Sequence, residues 1–287
     1  MHTKPASAPK ILRRAALAAA VVVGAVALVL ASLGTAQAFT KSDSKGTNGV
    51  SRPQQQRATM VDHGGAVLAS ARVHVIWWGP AAGFPADQRA TVQGLLGSLE
   101  GSAYLGTVAP YLRGATPHVR YDAATDWADP SIPPAAATAD DVAAEIARSL
   151  AATGEKADPQ GIYVVYSTAR VSGDSCAWHD ARSVAGGTAL VNLAYVPDAT
   201  GTAHCDLGAP SSAASPAALS VASSTAHEVL ETMSDPIPGA TWTDSSADDD
   251  EIADACSGTI AQVHLAGSLS LPLQTIWSNT AHACTAG

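Results

Sequence analysis

Residues 215–236 constrain the fold more than any other stretch of the chain. Ser215-Pro216 supplies a helix N-cap followed by a first-turn proline, and Asp235-Pro236 ends what it begins. Between them Leu219, Ala222, Val229, Leu230 and Met233 share one apolar flank, which predicts a helix running from Pro216 to about Ser234. A helix with such a flank must lie against a core. His227 and Glu231 stand four apart, so both side chains point to a second flank, one above the other. Ser220 and Ser224 continue that stripe and are small, leaving room beside it.

An imidazole and a carboxylate so placed can both reach one Zn²⁺, at about 2.0–2.2 Å. Glu228, one step round the helix from His227, then faces a water at the same point and takes its proton as general base. This is the logic of the His-Glu-x-x-His helix with glutamate in place of the second histidine. Two ligands do not hold a catalytic zinc; a third is required, with one position left open. The expected third ligand is Glu251, in Glu251-Ile-Ala-Asp254-Ala-Cys256, and the thermolysin-like zincins resemble this chain in placing a glutamate ligand at a similar distance. Asp235 and Asp254 compete for the role, and Asp248, Asp249 and Asp250 form an alternative loop site for Ca²⁺, which prefers oxygen. The same five-residue pattern also occurs on helices where it is only a solvated face.

The rest of the chain alternates strand and helix signals. Arg72 to Gly79 is β-branched and aromatic and predicts a strand closed by Gly79-Pro80. Pro85 to Glu100 predicts a helix, with Val92, Leu95, Leu96 and Leu99 on one stripe. A short strand is expected at 119–121, and a helix opens at Thr138, with Val142, Ile146 and Leu150 spaced by four and Gly154 as its stop. Gly161 to Tyr166 is apolar throughout, as a central strand is, and Thr188 to Val196 predicts another. Beyond the long helix the chain is rich in Asp, Ser and Gly, with strands expected at 262–265 and 273–277 and a Ser/Ala loop before it at 211–215. The expected fold class is α/β (or α+β): a zincin-like mixed sheet, an active-site helix, and a loop-rich, disulfide-bonded C-terminal part.

Residues 1–38 have the order of an export signal: Lys4, Lys10, Arg13 and Arg14, an apolar run from Ala15 to Leu33, and Ala36-Gln37-Ala38 before the expected cleavage. A retained membrane anchor is the alternative. Residues 39–64 are read as a disordered leader and 65–287 as one globular domain. Loss of four basic residues and no acid takes the net charge from −9 to −13. Nucleic acid and anionic membrane are thereby excluded as partners, since both need a basic surface. The four cysteines of an exported chain predict disulfides, with Cys176–Cys205 and Cys256–Cys284 favoured because they close the shortest loops.

The strand Val73-His-Val-Ile-Trp-Trp-Gly79, the Gln88-Arg89 helix, Cys176-Ala-Trp-His179, Ala226-His-Glu-Val-Leu-Glu-Thr-Met-Ser-Asp-Pro236, Trp242 and Glu251-Ile-Ala-Asp-Ala-Cys256 together span most of the chain. In that combination the sequence resembles the phosphate-induced or EXORDIUM-like secreted proteins. The resemblance implies a secreted, cell-wall-associated protein, and it carries no secure enzymatic activity. His179, just after the strand at 161–166, reads as a loop histidine beside a disulfide, with a place at the metal as the alternative. His63, His74, His118, His204, His264 and His282 have no partner at ligand spacing.

Two function classes follow. The first is a secreted zinc-dependent hydrolase, most simply a metallopeptidase, with Zn²⁺ on His227, Glu231 and Glu251 and Glu228 as base. The second is a non-catalytic extracellular binding or signalling module whose partner is a protein or cell-wall polymer, met by Trp77 or Trp78 exposed on a groove. A serine esterase built on Gly173-Asp174-Ser175 lacks both the Gly-x-Ser-x-Gly elbow and the downstream Asp-x-x-His pattern.

Overall fold

β-branched and aromatic residues favour a pleated, packed surface, and the run ending in Ile76-Trp77-Trp78 forms the strand from which the main sheet grows. A computed structural model describes residues 59–184, 190–207, 214–245 and 250–287. Strand β1 is Met60–Asp62 and β2 is Ser70–Trp78; helices α1 (Ala86–Leu99) and α2 (Ala103–Gly106) follow. Next come β3 (His118–Tyr121), β4 (Trp127–Asp129), α3 (Ala139–Thr153), β5 (Gly161–Arg170), β6 (Trp178–Ser183) and β7 (Leu190–Asp198). The long helix α4 is Pro216–Ser234, and β8 (Trp242–Asp244), β9 (Ile260–His264), β10 (Ser270–Gln274), β11 (Ile276–Ser278) and β12 (Ala283–Thr285) complete the described elements.

The main sheet runs β3-β2-β5-β7-β6, with β4 also paired to β2. β2 is parallel to β3, β4 and β5, and β5 to β7; only β6 runs antiparallel, against β7. The fold is therefore mixed α/β with a mixed sheet. Alternation along the strands divides the core. Ile76, Trp78, Tyr163, Val165, Val191, Leu193 and Tyr195 face α3, packing on Val142, Ile146 and Leu150. Val73, Val75, Trp77, Ile162, Val164, Tyr166, Ala194 and Val196 face the opposite way, toward α1 and α4. Both faces of the central strands are thus covered, which explains why their runs are mostly apolar.

Helix α4 is buried at every residue from Ala218 to Ser234. Its Ser215 side chain accepts from the Ala218 N–H as N-cap. The C-terminal segment covers the side that the sheet leaves free: β10 pairs with β9, and the Gln274 N–H donates to Ser223 Oγ at 2.9 Å. Disulfides Cys176–Cys205 and Cys256–Cys284 are both formed.

Several expectations are corrected. The leader assigned to 39–64 does not extend through its last residues, because Met60–Asp62 pairs with Trp242–Asp244 and the Asn279 side chain holds both backbone groups of Met60. Trp77 and Trp78 are buried rather than exposed, and their indole N–H groups donate to Asp126 and Ser131. His179 lies in strand β6, not in a loop. The expected signal, the leader up to residue 58, the strand start at Thr188, most of the Ser/Ala loop, and Asp248 and Asp249 fall outside the described residues.

On α3, burial raises the Glu145 carboxyl from 4.5 to about 7, against the opposing pull of Arg148. The folded state therefore keeps a proton that the unfolded state has released. That contribution to stability is full below about 4.5 and is lost as pH rises through about 7. Glu145→Gln should raise the denaturation midpoint relative to the native chain at pH 8 and change it little at pH 4. Equal shifts at both pH values would contradict the assignment.

Candidate metal centre

The polar stripe of α4 has no water to face, so every charged atom on it must find a partner within the protein. His227, Glu228 and Glu231 are each at most 6% exposed. Two other elements come to meet them. Strand β6 brings His179, and the turn at 251–256 brings Glu251 and Asp254.

Glu231 is the common point. Its Oε1 accepts the backbone N–H groups of Ala253 and Asp254, both at 2.9 Å, which fastens the turn to the helix. Its Oε2 lies 2.8 Å from His227 Nε2 and 3.9 Å from His179 Nδ1. His227 Nε2 is also 3.4 Å from Asp254 Oδ1 and 3.9 Å from Glu228 Oε1. The other oxygen of Glu228 lies 3.2 Å from His179 Nδ1. His179 Nε2 lies 3.0 Å from the Asp235 carbonyl oxygen, which can only accept, so this nitrogen is the donor. It is also 3.6 Å from Glu251 Oε1.

Four atoms in this set are buried without a hydrogen-bond partner: His227 Nε2, Glu231 Oε2, Glu251 Oε1 and Asp254 Oδ1. The His227–Glu231 approach is as short as a hydrogen bond but is not aligned as one. An imidazole nitrogen and carboxylate oxygens drawn together in this way form a donor set that a cation can use. Among the described residues, His227, Glu228 and Glu231 form one group able to hold a metal ion, and His179, Glu231 and Glu251 form another. A third grouping, Cys176, His204 and Cys205, has its sulfurs committed to a disulfide.

The electrostatics agree with the geometry. Burial opposes charging of both histidines. The carboxylates outweigh it, Glu251, Glu228 and Glu231 at His179 and Glu231, Glu228 and Asp254 at His227, and hold each imidazole well above its ordinary range. Burial lifts Glu251 well above the carboxylate range and Asp254 to about 7, and Glu231 adds to both. Burial pushes Glu231 upward too, but His227 prevails and holds it low.

The helix motif and the segment near 251 are brought together as the sequence reading requires, with one change of assignment. Glu251 faces His179, and Asp254 is the acid that reaches His227. The 3-10 turn at Asp254–Cys256 explains the exchange, since it carries Asp254 over the helix three residues after Glu251. Asp235, the other competing ligand, spends its carboxylate on the turn that follows α4, accepting from Gly239 N and Thr241 N at 2.9 Å. His179 is the residue that the sequence undervalued; Cys176-x-x-His179 was its only signal, and the Cys176–Cys205 bridge anchors the chain just before its strand. Compared with protein-family models, curated proteins and solved structures, the chain finds no match.

Asp235→Ala leaves two backbone donors without their acceptor and should cost about 1–3 kcal/mol of stability in denaturant titration. A stability unchanged from the native chain would show that the turn does not depend on this carboxylate.

Proposed function

We propose that this chain is an exported, zincin-like metal-dependent hydrolase, most simply a zinc peptidase, built on His227-Glu228-Val229-Leu230-Glu231. The observation that carries this reading is the set of buried, unpartnered atoms His227 Nε2, Glu231 Oε2 and Asp254 Oδ1 around one imidazole. Their chemistry suits a borderline cation such as Zn²⁺, which accepts imidazole nitrogen and carboxylate oxygen. His227 and Glu231 would hold it, with Asp254 as the acid arriving from the later segment. A bound Zn²⁺ supplies a Lewis acid that activates water and polarises a carbonyl.

The protein's own groups supply the proton handling. Glu228 presents Oε1 toward the His227 side, where a general base belongs, while its Oε2 is tied to His179. His179 thereby fixes the orientation of Glu228 and is itself fixed by the Asp235 carbonyl. Two carboxylate ligands donate more charge than a His₂Glu set, which lowers Lewis acidity and favours slow or specialised turnover. The two disulfides suit the oxidising compartment that export implies. Among the described residues no helix is long and apolar enough to cross a membrane.

The depth of the site supports a second reading. All of His179, His227, Glu228, Glu231, Glu251 and Asp254 are at most 8% exposed. Closed sites hold structural metals, whereas catalytic ones keep an open position. On that reading the chain is a non-catalytic extracellular module of EXORDIUM-like type, its partner a protein or wall polymer and its metal a brace.

Glu228→Gln separates the two. The hydrolase predicts a chelator-sensitive peptidase activity that falls by about 10²-fold or more in this variant while zinc remains bound by elemental analysis. A native chain that binds zinc but cleaves nothing, with its ligand binding unchanged by Glu228→Gln, supports the module. A folded chain that takes up no zinc contradicts both.

A further inference from the structure

Resting on the metal centre just proposed, we propose that it is a two-cation site, with a second divalent ion held by His179 and Glu251 and sharing Glu231 with the first. The two groups able to hold an ion have Glu231 in common and divide the remaining ligands between them. His227 and Glu228 complete one group and His179 and Glu251 the other, with Glu228 between the two imidazoles, its Oε1 3.9 Å from His227 Nε2 and its Oε2 3.2 Å from His179 Nδ1. In both groups the candidate ligand atoms lie within 4.8 Å of one another.

The Glu231 carboxylate is arranged for this. Its Oε1 is spent on the backbone of residues 253 and 254, so Oε2 alone remains, fully buried and without a hydrogen-bond partner. That oxygen faces an imidazole on each side, His227 Nε2 at 2.8 Å and His179 Nδ1 at 3.9 Å. A carboxylate oxygen has lone pairs enough to serve two cations.

A single ion leaves the second half unexplained. Glu251 Oε1 is buried and unpartnered, 3.6 Å from His179 Nε2. The ion pairs of Glu228, Glu231, Glu251 and Asp254 among the described residues are all to histidine. Binding at the second position replaces the proton on His179 Nδ1, so the ring would exchange its contact with Glu228 Oε2 for the ion while Nε2–H stays on the Asp235 carbonyl oxygen. Paired sites of this kind clamp the attacking and leaving oxygens of hydrolytic reactions. Zn²⁺ and Mn²⁺ both suit the donors, imidazole favouring the first and carboxylate the second.

Native mass spectrometry of the full exported chain, disulfides intact and equilibrated with excess Zn²⁺ alone, counts the ions. Two ions per native chain are expected. Glu251→Gln, a near-isosteric change, and His179→Ala should each lose one ion and keep the other, with circular dichroism verifying the fold. Should a variant fail to fold, the native stoichiometry decides by itself. One ion in the native chain overturns the second position and leaves the first intact. Two ions undiminished in both variants places the second elsewhere and likewise overturns it. No ion at all removes the metal centre on which this inference rests.

Discussion

A buried carboxylate joins helix α4 to the C-terminal segment. Glu231 sits on a helix with no exposed side and receives the N–H groups of Ala253 and Asp254 on one oxygen. Removing an ion of this size from water costs several kcal/mol even after the protein relaxes, and leaving it unpaired is the costly outcome. Hydrogen bonds to a charged acceptor return about 1.5–3 kcal/mol each, so the backbone pair offsets much of that cost. His227 opposes the second oxygen and holds the group ionised. The C-terminal segment is consequently docked by charge as well as by apolar packing.

Everything around that docking is tied down. Gln274 donates to the Ala253 carbonyl and the Trp277 N–H to the Ile252 carbonyl, gripping the turn between two strands. Cys256, at the end of the turn, is bridged to Cys284 in β12. On the opposite flank, Cys176 is bridged to Cys205 just ahead of β6, the strand that carries His179. Each disulfide thus lies a few residues from a group that faces α4. Positions held this firmly suit a site whose ligands must be arranged before a cation arrives.

The sequence made α4 legible because its ends are marked chemically: Ser215 caps it, Pro216 fits its first turn, and Asp235-Pro236 stops it. Strands β2 and β5 were legible for a related reason, since burial on both faces favours the β-branched and aromatic residues that fill 73–78 and 162–166 apart from His74. Strand β6 was not. Trp178-His-Asp-Ala-Arg-Ser183 is polar because it is the antiparallel edge of the sheet and one of its residues turns toward the helix's charged stripe. The exposure expected of Trp77 and Trp78 failed because helices on both sides cover the sheet, a fact of tertiary packing. The order of Glu251 and Asp254 was also hidden. Both acids are three residues apart on a short turn, and only the way that turn crosses α4 decides which of them meets His227. The mixed α/β class, the two cysteine pairs and the convergence of the motif with the 251–254 segment were therefore legible, while the second imidazole was not.

The central claim is that Glu231 Oε2 and His227 Nε2 are ligands to a metal and not merely an ion pair. Anomalous-scattering diffraction at the zinc absorption edge, on crystals of the chain grown with zinc, tests it directly. The account predicts a peak at about 2.0–2.2 Å from both atoms. A well-ordered zinc-grown crystal with no peak between them, His227 instead donating a straight hydrogen bond to Glu231, would contradict it.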